Sequence, residues 1–178
     1  MGSARAWEDV SSKVIDSVQI KDHMLDLMTQ VGVEYKVFEH KPILSYEDAA
    51  EVQKEVGYVG TEGKSLVLKV DDKCIVYVTI QGKKVNFQAI KDELGVNKVR
   101  LATAEELQEY FGAQPGCAYP FGFNEEYSIY VDPIVYMQNW LVFSPCLPTF
   151  TIQAKGEDLK KVFDLLPNKV IETEKFNA

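Results

Sequence analysis

The chain has 178 residues, 46% of them hydrophobic, which fits one compact domain able to bury about 70% of its unfolded surface. No apolar run approaches the ~18 residues of a membrane-spanning helix, so no membrane partner is expected. A net charge of −8, from 19 basic and 27 acidic residues, excludes a surface that is basic all round and confines any nucleic-acid contact to a local patch.

Residues 8–31 read mostly as helix, with Leu25, Leu27, Met28 and Val31 as apolar positions, Gly32 as the stop and Val18-Gln19-Ile20 as a candidate break. Residues 33–39 alternate, with Val33, Tyr35 and Val37 on one face, and read as a strand ended by Pro42. Ser45-Tyr46-Glu47-Asp48 is an N-cap with an acidic third residue, so a helix is expected to about Glu55. Residues 65–70 and 74–80 flank Asp71-Asp72-Lys73 as a hairpin, and Gln81-Gly82-Lys83 turns the chain again. Asn86 caps a helix to about Leu94, stopped by Gly95.

Residues 99–102 form a short strand. Thr103 and Glu106 then make a capping box for a helix that ends at Gly112. Residues 127–131, 140–143 and 149–153 are strand-like, and Leu159, Val162, Phe163 and Leu166 stand at helical spacing in a final helix. About seven strands interleaved with five or six helices point to an α+β fold with a mixed sheet.

The segment between that helix and the next strand is unusual. From Gly112 to Gly122 it reads G-A-Q-P-G-C-A-Y-P-F-G, with three glycines and two prolines in eleven residues. Neither a helix nor a central strand tolerates that density, because proline lacks a donor and glycine costs backbone entropy. Gly116 and Pro120 complete a G-x-x-x-P pattern that can hold successive N–H groups toward one point, as an oxyanion hole does, or can serve simply as a tight connection. Upstream, G-T-E-G-K-S-L-V-L-K places Lys64 before an apolar run. Such a lysine can merely snorkel over a sheet edge, and Lys69 is its substitute in the same run.

The pairing of that lysine with that loop, over about residues 21–170, resembles the YbaK/prolyl-tRNA synthetase-associated editing family, which hydrolyses mischarged aminoacyl-tRNA. The motifs are most similar to the branch that clears alanine from tRNA(Pro). The resemblance implies a mixed, largely antiparallel sheet with surrounding helices, formed by an editing domain over 21–178 after an N-terminal extension over 1–20. It places Lys64, Gly116, Cys117, Ala118 and Pro120 in the catalytic machinery. Lys64 would be a fixed cation near the terminal phosphate or ester, and the loop would supply backbone groups. A substrate hydroxyl and a water would do the chemistry, with no metal or organic cofactor. His40 matches a position near the family's pocket, and Ser144 and Thr149 fall in the stretch that shapes it. The implied partners are the aminoacylated 3′ end of tRNA(Pro) and a prolyl-tRNA synthetase, in cis or in trans.

Other readings stay open. Cys117 inside the loop invites a thiol nucleophile, but His23 and His40 are the only histidines and nothing in the sequence brings either beside it. Cys74, Cys117 and Cys146 are an odd number, far apart and without C-x-x-C, which argues against a disulfide framework or a zinc site. Between 54 and 100 the chain carries nine basic against six acidic residues, so Lys83 and Lys84 belong either to an RNA-facing patch with Lys64 or to a solvated hairpin. Ser144 stands where the family commonly has histidine, and Pro148 where it has asparagine. A non-catalytic module binding tRNA or a synthetase is therefore the alternative to a deacylase, and cysteine the alternative to alanine. Arg5, Glu8 and Asp9 without an apolar segment give no secretory signal, and a cytoplasmic location is expected.

Overall fold

The computed structural model describes residues 16–178. Helix α1 (Ser17–Gln30) starts where Asp16, in extended geometry, accepts the Val18 N–H at 2.9 Å. Ile20, Met24, Leu27 and Met28 recur at helical spacing and are buried. Of the helix expected over 8–31, the described part runs from Ser17 to Gln30, and Val18-Gln19-Ile20 lies in its first turn and is not a break. Of the expected 1–20 extension, 16–20 begins this helix, with Ile20 in the core; residues 1–15 lie outside the described residues.

Strand β1 (Tyr35–Glu39) pairs antiparallel with β7 (Phe150–Ala154) at one edge of the sheet. The inward face expected for Val33, Tyr35 and Val37 holds only at its start. Val33 is buried, whereas Val37 is 38% exposed, because an edge strand has less cover than a central one. Helix α2 (Tyr46–Val56) is capped by Ser45, whose hydroxyl accepts the Asp48 N–H at 3.1 Å.

Strands β2 (Thr61–Val70) and β3 (Lys73–Ile80) form the hairpin. Asp71 closes its turn at φ 53°, and its carboxylate accepts the N–H groups of Asn97 and Lys98 at 3.0 and 2.9 Å. β2 begins four residues before the expected Ser65. Thr61 and Glu62 pair parallel with Leu141 and Val142 of β6 (Leu141–Phe143), and Gly63 and Lys64 face Ile80 and Thr79. Lys64 therefore sits inside a strand.

Helix α3 (Phe87–Leu94) follows its Asn86 cap, and β4 (Val99–Leu101) pairs with the last three residues of β2. Helix α4 (Ala104–Phe111) carries the expected capping box. Strand β5 (Ser128–Val131) runs parallel to β3, a 3-10 turn (Pro133–Met137) follows, and α5 (Gly156–Leu165) precedes β8 (Val170–Glu172), parallel to β5. Neither the 3-10 turn nor β8 was expected from the sequence. The sheet order is β1-β7-β6-β2-β3-β5-β8, with β4 on β2. Four antiparallel pairings against three parallel ones make the sheet mixed and largely antiparallel within an α+β fold.

Both faces are covered. Val76 and Val78 of β3 join the main core with Ile129, Phe121 and Phe163, while Ile75 and Tyr77 pack on the other side with Ile90 and Phe176. The arrangement of β2 positions the site. One of its edges is paired with β3 from Gly63 to Val70; the other meets β6 at its start and β4 at its end, and the stretch between is left open.

The capping box supports a stability prediction. Thr103→Ala is expected to cost about 1 kcal/mol in urea unfolding. Arg100 and the Thr103 N–H hold the Glu106 carboxyl down to about 2. A depressed carboxyl stabilises the fold above its unfolded pKa of about 4.3 and loses that contribution as pH falls toward the folded value. Glu106→Gln should therefore flatten the stability profile between about pH 4.5 and 2, and an unchanged profile would remove Glu106 as its source.

Candidate functional site

The open stretch of β2 forms one wall of a cavity of about 540 Å³, within the range of about 300–1,000 Å³ usual for small-molecule sites. Successive residues of a strand send their N–H and C=O to opposite edges. The Glu62 carbonyl accepts the Gln81 N–H at 2.9 Å on the β3 side, and the Val67 carbonyl accepts the Ala102 N–H at 2.9 Å on the other. By that alternation, Gly63 and Ser65 turn their carbonyls toward the open edge. A second wall is the glycine–proline loop at Pro115, Gly116, Cys117 and Ala118. Ile43, Leu44 and Tyr46 at the start of α2 and Phe143, Ser144 and Leu147 after β6 complete much of the rest.

The loop is held from behind by aromatic side chains. Tyr119 is buried and donates its hydroxyl to the Phe111 carbonyl at 2.7 Å. Phe111 meets Phe123 and Tyr127 with ring centroids 5.2 and 4.7 Å apart. Alternating Tyr119, Phe121 and Phe123 inward between Pro120 and Gly122 anchors one end of the loop in the core. At the cavity end, the Cys117 N–H donates to the Gln114 carbonyl at 3.0 Å, closing a turn through Pro115 and Gly116. Gly116 has φ +89°, a left-handed conformation that favours glycine. The Gly116 and Ala118 N–H groups have no acceptor among the described residues. The turn thus uses the Cys117 donor internally and leaves its two neighbours for a ligand.

The cavity brings Lys64, Gly116, Cys117, Ala118 and Ser144 together. Lys64 is half-buried and its ammonium donates to the Lys83 carbonyl at 3.1 Å. Ser144 donates to the Leu147 carbonyl at 3.3 Å. Pro120 is buried and shapes the loop from behind. His40 is off the cavity wall but hydrogen-bonded to it. Its Nδ1 lies 2.7 Å from the Lys41 carbonyl, which can only accept, so Nδ1 carries a proton there, and its Nε2 is hydrogen-bonded to the Thr151 hydroxyl at 2.8 Å. Thr151 lines the cavity, as does Tyr58, whose hydroxyl donates to the Ala49 carbonyl at 3.5 Å. Thr149 acts through its backbone: its carbonyl accepts the His40 N–H at 2.9 Å. Lys83 and Lys84 are exposed on the turn after β3, and only the Lys83 carbonyl reaches a cavity residue.

The sequence reading missed Glu62. It lines the cavity two positions before Lys64, and burial raises its carboxyl above the ordinary glutamate range. Tyr58 beside it is pushed up to about 12, by burial first and then by the Glu62 charge. Burial also raises the Cys117 thiol, so no thiolate is favoured at neutral pH. Cys146, behind the loop, is raised to about 12 for the same reason and donates to the Gly112 carbonyl at 3.4 Å. Among the described residues, no group of three or more His, Cys, Asp or Glu is placed to hold a metal, and no helix is long and apolar enough to cross a membrane.

Comparison with known proteins gives this geometry a family. The model of the aminoacyl-tRNA editing domain matches residues 40–162, which contain both walls of the cavity, and the chain belongs to that family. It is 24% identical over 151 residues to the prolyl-tRNA editing protein ProX of Acetoanaerobium sticklandii, covering 80% of this chain and 89% of that protein. It is 36% identical over 69 residues to a proline–tRNA ligase of Bacillus pumilus, a match covering 39% of this chain and 12% of the ligase. The chain thus spans a small part of the ligases it matches. A solved structure of a candidate trans-editing enzyme for prolyl tRNA synthetase superposes with a TM-score of 0.66 at 21% identity, covering 86% of this chain and 95% of that one.

Proposed function

We propose that this chain is an editing deacylase that hydrolyses the ester of mischarged tRNA(Pro), with alanine the first substrate and cysteine the second. The observation that carries the reading is that one cavity is lined both by Lys64 and by a loop with two unengaged amides, those of Gly116 and Ala118. In that reading the two amides receive the oxyanion that forms as the ester carbonyl is attacked by a water or by the terminal adenosine's own hydroxyl. Lys64 sets a cation beside the developing charge or the terminal phosphate. The cavity is roomier than an alanyl side chain requires, so the exclusion of proline has to come from local walls such as Ile43, Phe143 and Leu147. The likeness to the prolyl-tRNA editing protein ProX, which extends over most of this chain, supports mischarged tRNA(Pro) as the substrate. The partial matches to proline–tRNA ligases support association with a synthetase, in cis or in trans. A cytoplasmic location follows from this role.

Hydrolysis of Ala-, Cys- and Pro-tRNA(Pro) by the purified chain tests the reading. Turnover of Ala-tRNA(Pro) with Pro-tRNA(Pro) spared is expected. Rates equal to buffer on Ala- and Cys-tRNA(Pro) would leave the same cavity as that of a binding module. A second expectation concerns affinity. With net charge −8, tRNA must meet a local basic face, with Lys64, Lys83 and Lys84 as its candidates. Filter binding between 50 and 200 mM salt should show affinity falling steeply, on the order of 10-fold or more, as neutralised phosphates regain their counterions. Affinity independent of salt would remove the phosphate contacts from the proposal.

A further inference from the structure

We infer that Glu62, with the carbonyls of Gly63 and Ser65 on the open edge of β2, forms the subsite for the α-ammonium group of the aminoacyl ester. The inference rests on the deacylase reading and adds to it which chemical feature of the amino acid the cavity recognises.

Three observations converge. Glu62 lies on the cavity wall, and no hydrogen bond or ion pair reaches its carboxylate among the described residues. The nearest candidate cation, Lys64 on the same strand, directs its ammonium to the Lys83 carbonyl instead. The strand edge beside Glu62 is open where β6 ends and β4 has not begun, so it presents backbone acceptors that no neighbouring strand uses. A half-buried carboxyl without a partner is unfavourable in its charged form, as its raised proton affinity reflects, and a bound cation relieves that cost.

The ligand side matches this wall. An aminoacyl ester has a free α-amino group, cationic near neutral pH, and an ammonium has three N–H donors. One carboxylate and two strand carbonyls are three acceptors. Among the described residues, the other titratable side chains on the cavity wall are Tyr46, Tyr58, Lys64 and Cys117, none of them a carboxylic acid, and burial favours the protonated form of Tyr58 and Cys117. Glu62 is thus the one carboxylate on the cavity wall among the described residues. Such a subsite admits a free amino acid on the tRNA end and rejects one whose nitrogen is acylated, which has lost its charge and gained bulk. The substrate class is therefore the free aminoacyl ester, as opposed to an N-blocked or peptidyl ester.

The test uses the whole chain and two hydrolysis-resistant probes, 3′-alanylamino-3′-deoxyadenosine and its N-acetyl derivative, titrated by calorimetry. Wild type is expected to bind the free-amine probe about 10-fold or more tightly, the scale of a desolvated charge pair. Glu62→Gln should bind both probes alike, and Glu62→Asp should recover part of the preference. Equal binding of the two probes to wild type, or a preference that survives Glu62→Gln, would overturn the subsite, as would the failure of both probes to bind. Turnover of Ala-tRNA(Pro) measured on the same wild-type preparation separates the two ideas. If turnover is present without an amine preference, the subsite alone falls. If Glu62→Gln fails to fold, the wild-type comparison and Glu62→Asp still decide.

Discussion

Gly116→Ala is expected to lower kcat/KM for Ala-tRNA(Pro) by about 100-fold or more, while Cys117→Ala should stay within a few-fold of wild type. The contrast comes from what each residue supplies to the loop. Gly116 has φ +89°, and a Cβ built there meets no protein atom within 4 Å. The folded protein therefore has room for a methyl group, and the cost to stability is the conformational one, about 1–2 kcal/mol. Relief of that strain rotates the peptides on either side, and those peptides carry the Gly116 N–H and orient the Ala118 N–H. Loss of aim at an oxyanion typically costs on the order of 100–1,000-fold in rate. Cys117 differs because its N–H is already bonded to the Gln114 carbonyl, a contact that alanine keeps. A thiol mechanism predicts the reverse order, with Cys117→Ala inactive, but it would have to work with a thiol whose burial favours the protonated form. Both variants should be assayed beside wild type at equal concentration, with urea unfolding run in parallel. A Gly116→Ala enzyme of full activity would dismiss the oxyanion role of the loop.

Much of this architecture could be read locally. Ser45, Asn86 and the Thr103–Glu106 pair announced their helices because capping is a contact between residues two or three apart. The glycine–proline loop was visible because its composition is incompatible with regular structure. The parts that stayed hidden depend on partners distant in the chain. Residues 61–64 carry no strand signal of their own: Thr61 and Glu62 become strand through β6, some 80 residues away, and Gly63 and Lys64 through the far end of β3. That displaced the start of β2 and hid Glu62, which the cavity brings into view. β8 is three residues long and exists through its parallel pairing with β5. Val37 alternates as a buried strand should, yet lies at an edge, a fact that the topology sets. The partner of His40 is Thr151, 111 residues further on, so the sequence could place His40 near a pocket by resemblance but not say that it braces the wall. The loop's free amides were likewise out of reach, since nothing in G-C-A tells which N–H the turn consumes.

Lys64→Met is expected to reduce kcat/KM by about 100-fold and to leave the fold intact. Methionine keeps most of the stem's apolar length inside β2, where Lys64 faces Thr79 across the hairpin, so the substitution removes the charge more than the packing. In the free protein the ammonium makes one hydrogen bond, to the Lys83 carbonyl at 3.1 Å, which leaves two of its three donors for a ligand. A half-buried cation acts at lower effective dielectric than a solvated one, so its interaction with a nearby anion is several-fold stronger than in water. How the loss divides tells which anion it meets. If Lys64 holds the terminal phosphate, KM rises, kcat is largely kept and the salt dependence of tRNA binding weakens by about one phosphate contact. If it faces the oxyanion, kcat falls with KM nearly unchanged, because the interaction exists only in the transition state. Lys64→Arg sharpens the distinction. A guanidinium keeps the charge and can bind phosphate in a fork, but its planar donors do not reproduce the ammonium's position, so it should recover binding better than turnover. A Lys64→Met protein with wild-type kcat, KM and salt slope would return this lysine to an ordinary residue snorkelling over the edge of a sheet, and with it would go the pairing of cation and loop on which the deacylase reading stands.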